Sequence, residues 1–181
     1  YGFDFSYDMC NETKGMRVDE VTHYWKQKLN ASFESKKVAE EIIEEVISLI
    51  KKEGKPMEGV LDAIEEAKSK NIKLGLASSS SMKIIETVLE KLNIKLYFEA
   101  IHSAEYEEFG KPHPQVFISA AQSLGTLPEN CLVIEDSLNG VIAAKAAKMK
   151  VIAIPETQEF ELPQFSIADD VLKSMKNLTL D

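Results

Sequence analysis

Apolar residues recur along the first third of the chain with the spacing of a helix. In RVDEVTHYWKQKL, Val18, Val21, Trp25 and Leu29 fall on one face, because side chains three and four residues apart are neighbours on an α-helix. In SKKVAEEIIEEVISLIKKEG, Val38, Ile42, Val46, Leu49 and Ile50 do the same, with glutamates and lysines opposite. Ser35 is placed to cap that helix and Gly54 to end it. The next stretch, GKPMEGV, carries Pro56 and Gly59 and reads as a linker or hinge.

Beyond it the period changes. IKLGLAS (72–78), FEAIHS (98–103), CLVIED (131–136) and KVIAIP (150–155) read as short buried strands. Helical stretches lie between them, over 59–70, 81–92, 114–125 and 138–148. Strand alternating with helix predicts an α/β fold with right-handed crossovers and a mostly parallel sheet between layers of helices. We expect a helical segment over 1–54 and an α/β core over 55–181. There is no internal repeat or low-complexity segment, and the four serines at 78–81 are too short a run for a linker.

A length of 181 residues allows one medium domain, or a domain with a small accessory unit. The net charge of −9 argues against nucleic acid or an anionic membrane as partner. It leaves room for a small anionic substrate, since a metal ion or a lysine can reverse the local field. Cys10 and Cys131 have no metal-ligand spacing and read as free thiols of a reducing compartment. No apolar run has the length of a membrane span and no signal peptide opens the chain. These features predict a cytoplasmic monomer. The opening YGFDFSYDMC lacks an initiator Met and reads like the middle of a protein.

In parallel sheets the chemistry collects at the carboxyl ends of strands, and the unusual residues lie there. Ser78, Ser79, Ser80 and Ser81 follow the first strand and precede a helix. Hydroxyls and free N–H groups at a helix N-terminus suit phosphate, although serines there also serve as plain caps. GKPHP (110–114) holds Lys111 in a loop stiffened by two prolines, and Pro114 is placed to start the next helix. Lys111 is either a fixed cation or a solvated turn residue; His113 reads as structural. LVIEDSLNG (132–140) ends a strand on two adjacent acids, Glu135 and Asp136. Like charges repel, and burial raises the cost of ionisation. Either a cation such as Mg²⁺ sits there, or Asp136 or Ser137 caps a helix and Glu135 faces water. Together, a hydroxyl, a lysine and an acid pair at successive strand ends are what phosphoryl transfer requires.

This order resembles the haloacid dehalogenase superfamily of hydrolases, through Ser78 in LGLASSS, Lys111 in GKPHPQVF and Glu135 with Asp136 in VIEDSLNG. The resemblance covers 55–181, and the helical start is similar to the cap inserted after the first core strand in that superfamily. KGMRVDEVTHYW (14–25) resembles the cap of sugar-phosphate phosphatases acting on hexitol phosphates and 2-deoxyglucose 6-phosphate, and more distantly the beta-phosphoglucomutase group. The resemblance implies a Mg²⁺-dependent phosphatase acting on a small phosphorylated sugar or polyol through an aspartyl-phosphate. Lys111 and Ser78 would be catalytic, Ser79, Ser80 and Arg17 would contact substrate, and Asp136 and Glu135 would hold the metal. Residues 51–59 would form one of two hinges of a closing cap. The family's Asp-x-Asp-Gly motif is missing: Asp4, Asp8, Asp169 and Asp170 all fail the pattern. We therefore expect the nucleophile and the first core strand upstream of Tyr1, and no hydrolysis by this chain alone. The alternatives are a phosphosugar mutase of the same fold, or an inactive chain that binds a phosphosugar or a protein partner.

Overall fold

In the computed structural model, which describes residues 1–180, the first part of the chain forms α1 (Tyr7–Asn11), α2 (Val18–Lys28) and α3 (Ser35–Glu53). Trp25 anchors them. Its indole is buried, donates to Thr13 Oγ1 (3.4 Å) and meets the rings of Phe5 and Tyr24 edge-on. Helix α3 packs on α2 and on the helix at Met82–Leu92 through part of the expected stripe, with Val38 half-buried. Ile42 and Leu49 are exposed, while Ala39 is buried and Ile43, Val46 and Ile50 are half-buried. Isoleucines and valines stand in adjacent pairs along this helix, so two neighbouring stripes fit the same period, and small Ala39 marks the closer approach. Ser35 is the first helical residue rather than the cap; Glu34 takes the cap position and makes no side-chain cap bond. Gly54 ends the helix as expected.

The rest alternates: α4 (Val60–Ser69), β1 (Leu74–Ser78), α5 (Met82–Leu92), β2 (Phe98–Ser103), α6 (Gln115–Ser123), β3 (Leu132–Glu135), α7 (Leu138–Ala146), β4 (Lys150–Ala153) and β5 (Asp170–Val171). The fold is α/β, as expected, with every strand pairing parallel. Gly59 precedes α4 at φ +87, and its missing side chain leaves room for the Lys176 backbone nitrogen, which a Cβ would approach to 2.5 Å. Strand β1 starts two residues later than expected. Asn71 turns left-handed after α4 (φ 55) and Ile72 N still bonds Ala67 O (2.9 Å), so the chain is finishing a helix there.

The strands form two sheets, β1–β2 and β3–β4–β5, rather than one. Between β1 and β3 lies an apolar cavity of about 640 Å³, lined by Leu74, Gly75, Ala77, Leu132, Val133 and Ile134 among others. The register brings Ser78 beside Ser103 and Glu135 beside Ala153. Lys111, reaching from Ala77 O to Glu135, brings the carboxyl ends of β1 and β3 together. One core, with Val116, Phe117, Val133, Val141, Val151 and Phe165, joins the second sheet to α6 and α7. A smaller one, with Ile64, Ile85, Leu89 and Ile94, lies under β1 and β2. Among the described residues no helix is long and apolar enough to cross a membrane.

Candidate active site

Lys111 is the centre of the site. The turn around it is closed by a bond from His113 N to Gly110 O (2.9 Å), and Pro114 sits at the cap position of α6 rather than inside its first turn. The lysine is buried, at 6% exposure. Its ammonium donates to Glu135 Oε1 and to Ala77 O (3.3 Å), and lies 4.5 Å from the centroid of the Phe117 ring. One cation therefore bridges the ends of β1 and β3.

This contact explains why a strand can end on two acids. Glu135 is not in solvent. Its Oε1 is held by Lys111, and its Oε2 accepts from Asp136 N (3.2 Å), Ser137 N (3.2 Å) and Ser137 Oγ (3.0 Å). Ser137 also caps α7 by accepting from Gly140 N (3.1 Å). The carboxylate thus rests on the positive end of α7. Gly140 makes this possible: a Cβ there would lie 2.0 Å from the Glu135 carboxyl carbon.

Asp136 is different. It is exposed, and among the described residues no side chain donates to its carboxylate. Its pKa is raised, by desolvation first and then by the Glu135 charge; Lys14 and Lys111 pull it down. A carboxylate whose charge is disfavoured by its surroundings is one that a cation would stabilise. Asp136 and Glu135 offer hard oxygens, which suit Mg²⁺ as a partial ligand set. Among the described residues there is no group of three or more His, Cys, Asp or Glu placed to hold a metal.

The serines after β1 divide into separate tasks. Ser78 Oγ accepts from Ser80 N (3.1 Å), which leaves its own proton free. Ser79 Oγ donates to Gly15 O (2.6 Å) and so ties the helical segment to the sheet. Ser80 O accepts from Ser103 Oγ (2.6 Å). The N-terminus of α5 is already met by an acid, with Glu105 Oε2 accepting from Met82 N (2.7 Å). Arg17 was expected on substrate, but its guanidinium is committed to protein. It donates to Ala104 O (3.2 Å), to Glu107 O (2.8 Å) and to both Asp19 carboxylate oxygens (3.1 and 3.0 Å). It lines a cavity of about 770 Å³ between the helical segment and the sheet, with Met16, His23, Gln27, Ser79 and Glu105.

The structure therefore gathers Ser78, Lys111, Glu135 and Asp136 at one edge, and sets Arg17 and Ser79 on the wall beside it. The excluded residues stay outside. His113 packs on Phe109 (5.2 Å between rings), and Asp4 and Asp8 are exposed. Asp169 accepts from Lys145 (2.9 and 2.8 Å) and Val151 N (2.8 Å) as a strut of the second sheet. Glu20 and Glu105 are polar contributors that the sequence reading missed. Glu20 accepts from the Arg17 amide at the start of α2, half of a capping box, but nothing local to it names a partner across the fold.

A family model described as haloacid dehalogenase-like hydrolase matches residues 1–154. Hexitol phosphatase B of Escherichia coli K12 is 37% identical over 170 residues, which make up 93% of this chain and 76% of that protein. Beta-phosphoglucomutase of Bacillus subtilis is 36% identical over 116 residues, 64% of this chain and 48% of that protein. A solved structure of beta-phosphoglucomutase from Clostridium difficile matches with a TM-score of 0.87 at 28% identity, covering 99% of this chain and 80% of that one. With the strand-end lysine and acid pair in place and the family model spanning most of its length, the chain belongs to the haloacid dehalogenase-like hydrolases.

Proposed function

We propose that the site serves a phosphatase acting on a small phosphorylated sugar or polyol. The observation that carries this reading is a buried ammonium, Lys111, bridging the ends of β1 and β3 beside a carboxylate, Asp136, to which no side chain donates among the described residues. In this reading Lys111 and the free Ser78 proton bind phosphoryl oxygens and offset their charge. Asp136, with Glu135, holds Mg²⁺, which when bound neutralises further charge on the phosphoryl group. Glu135 meanwhile keeps Lys111 aimed across the gap.

Residues 1–54 act as a helical cap over the sheet edge, with 51–59 as a hinge, and the cavity beside Arg17 and Ser79 receives the part of the substrate beyond the phosphate. The hexitol phosphatase relative supports a polyol or sugar there. No aspartate other than Asp136 stands beside Lys111 among the described residues. The covalent nucleophile of this reading therefore comes from a strand that fills the apolar gap between β1 and β3. Residues 1–181 alone release no phosphate.

The test is phosphate release from a panel of hexose and hexitol phosphates by the full-length protein that contains residues 1–181, with Mg²⁺ and with a chelator. Metal-dependent release that Lys111→Ala abolishes supports the reading. Turnover that ignores both sinks it. The beta-phosphoglucomutase relatives favour a second reading, a mutase; it is separated by whether the product is free phosphate or an isomeric sugar phosphate.

A further inference from the structure

The loop between β2 and α6 carries Lys111, and its own backbone holds it weakly. Two local bonds stabilise it, Glu107 N to Ala104 O (3.1 Å) and His113 N to Gly110 O (2.9 Å). Further support comes from the start of α2, in the helical segment. Arg17 Nη1 donates to Ala104 O and Glu107 O (3.2 and 2.8 Å), and Glu20 Oε1 accepts from Gly110 N (3.2 Å). The other Glu20 oxygen accepts from Arg17 N (3.0 Å). One carboxylate thus ties the first turn of α2 to the residue immediately before the lysine.

Gly110 is buried, and a Cβ on it would lie 2.4 Å from Glu20 Oε2. Its φ is not in the left-handed region, so what this position requires is room rather than backbone freedom. Without Glu20 the buried Gly110 amide loses the acceptor that α2 provides. The lysine beyond it must still span from its loop to Ala77 O and Glu135.

We propose that Glu20 is a positioning residue that couples docking of the helical segment to the placement of Lys111. When the segment sits on the sheet, Glu20 pins Gly110 and the ammonium is held between β1 and β3. When the segment lifts, the pin is withdrawn and the lysine loosens. The role rests on the reading of Lys111 as the phosphate-binding cation, and it deepens that reading: the site is completed only under a closed segment.

The test measures Lys111 directly. The full-length protein that contains residues 1–181 is treated with an amine-acetylating reagent, and the labelling rate of Lys111 is read by mass spectrometry against exposed Lys83. Wild type is compared with Glu20→Ala, Glu20→Gln, Gly110→Ala and the Glu20→Ala/Gly110→Ala pair. Glu20→Ala should raise Lys111 labelling at least fivefold with Lys83 unchanged. Glu20→Gln keeps one acceptor for the two amides of Gly110 and Arg17, so its labelling should fall between wild type and Glu20→Ala. Gly110→Ala should raise it as Glu20→Ala does, and the pair should add nothing further, since both break one contact. Equal labelling in Glu20→Ala and wild type overturns the proposal, as does a rise in Glu20→Gln as large as in Glu20→Ala. If Glu20→Ala loses its far-UV circular dichroism, Gly110→Ala and Glu20→Gln decide by the same criteria. Inorganic phosphate added to wild type separates the two readings. If it gives Lys111 no protection the phosphate-binding role fails, while the effect of Glu20 on labelling is judged on its own.

Discussion

The Lys111–Glu135 pair makes a quantitative prediction. Both side chains are almost fully buried, at 5% and 8% exposure. Removing one partner of such a pair strands a charge and costs about 3–5 kcal/mol. Here the lower end applies, because Glu135 keeps three donors on Oε2 and the N-terminus of α7. Lys111→Met, which keeps an unbranched stem against Phe117, should therefore cost about 3 kcal/mol. Glu135→Gln, which leaves the ammonium without its counter-charge, should cost a similar amount. The double variant removes both charges at once, and should be less destabilised than the sum of the singles by at least about 2 kcal/mol. Equilibrium urea unfolding of the full-length protein that contains residues 1–181, followed by far-UV circular dichroism, gives all three values. A domain of this size has roughly 5–15 kcal/mol to lose, so each single variant should still fold. If Lys111→Met falls within about 0.5 kcal/mol of wild type, or the two substitutions add, the pair does not hold the strand ends together and the argument fails.

Three further outcomes follow from the same geometry. Gly140→Ala gains about 1 kcal/mol of helix propensity, but its Cβ would displace the Glu135 carboxylate and with it the ion pair; urea unfolding should report a net loss of about 2 kcal/mol. Asp136 has a folded pKa above its unfolded one, so its ionised form costs stability at neutral pH. Asp136→Asn should melt higher than wild type at pH 7, with the difference vanishing below the ordinary Asp pKa of about 3.9, and added Mg²⁺ should raise the melting temperature of wild type only. Asp169 has the opposite sign. The Lys145 bond and then Val151 N lower its pKa, so its contribution is present above the ordinary Asp range and is lost as pH falls; because the pair is partly exposed, Asp169→Asn should cost only about 0.5 kcal/mol in thermal melts at neutral pH.

Much of the fold was legible because it is written locally. FEAIHS became a strand over its whole expected length, and CLVIED lost only one residue at each end. The helices after residue 59 begin and end within two residues of expectation. What failed was non-local. Strand β5 is two residues long and begins on an aspartate, so only its pairing with β4 makes it a strand. The stripe of α3 that packs is chosen by α2 and α5, between two that the period allows equally. Within the site, the sequence put Lys111, Glu135 and Asp136 at strand ends and left a cation or solvent as the partner of the acids. It could not say that the lysine itself supplies that charge, because the two residues meet only through the crossover of α6. Nor could it say that Arg17 would turn to the loop at 104–107, since that depends on how the helical segment docks.

Asp136 separates the proposed chemistry from the fold more cleanly than any other residue, since its loss should stabilise the chain while disabling the site. The measurement is phosphate release from a hexitol phosphate with Mg²⁺, by wild-type and Asp136→Asn full-length protein at pH 7, with melting temperatures taken on the same proteins without Mg²⁺. A phosphoryl-transfer site at the strand ends predicts a variant that melts as high as wild type or higher, and turns over at least about a hundredfold more slowly. An Asp136→Asn protein that keeps wild-type turnover would contradict it.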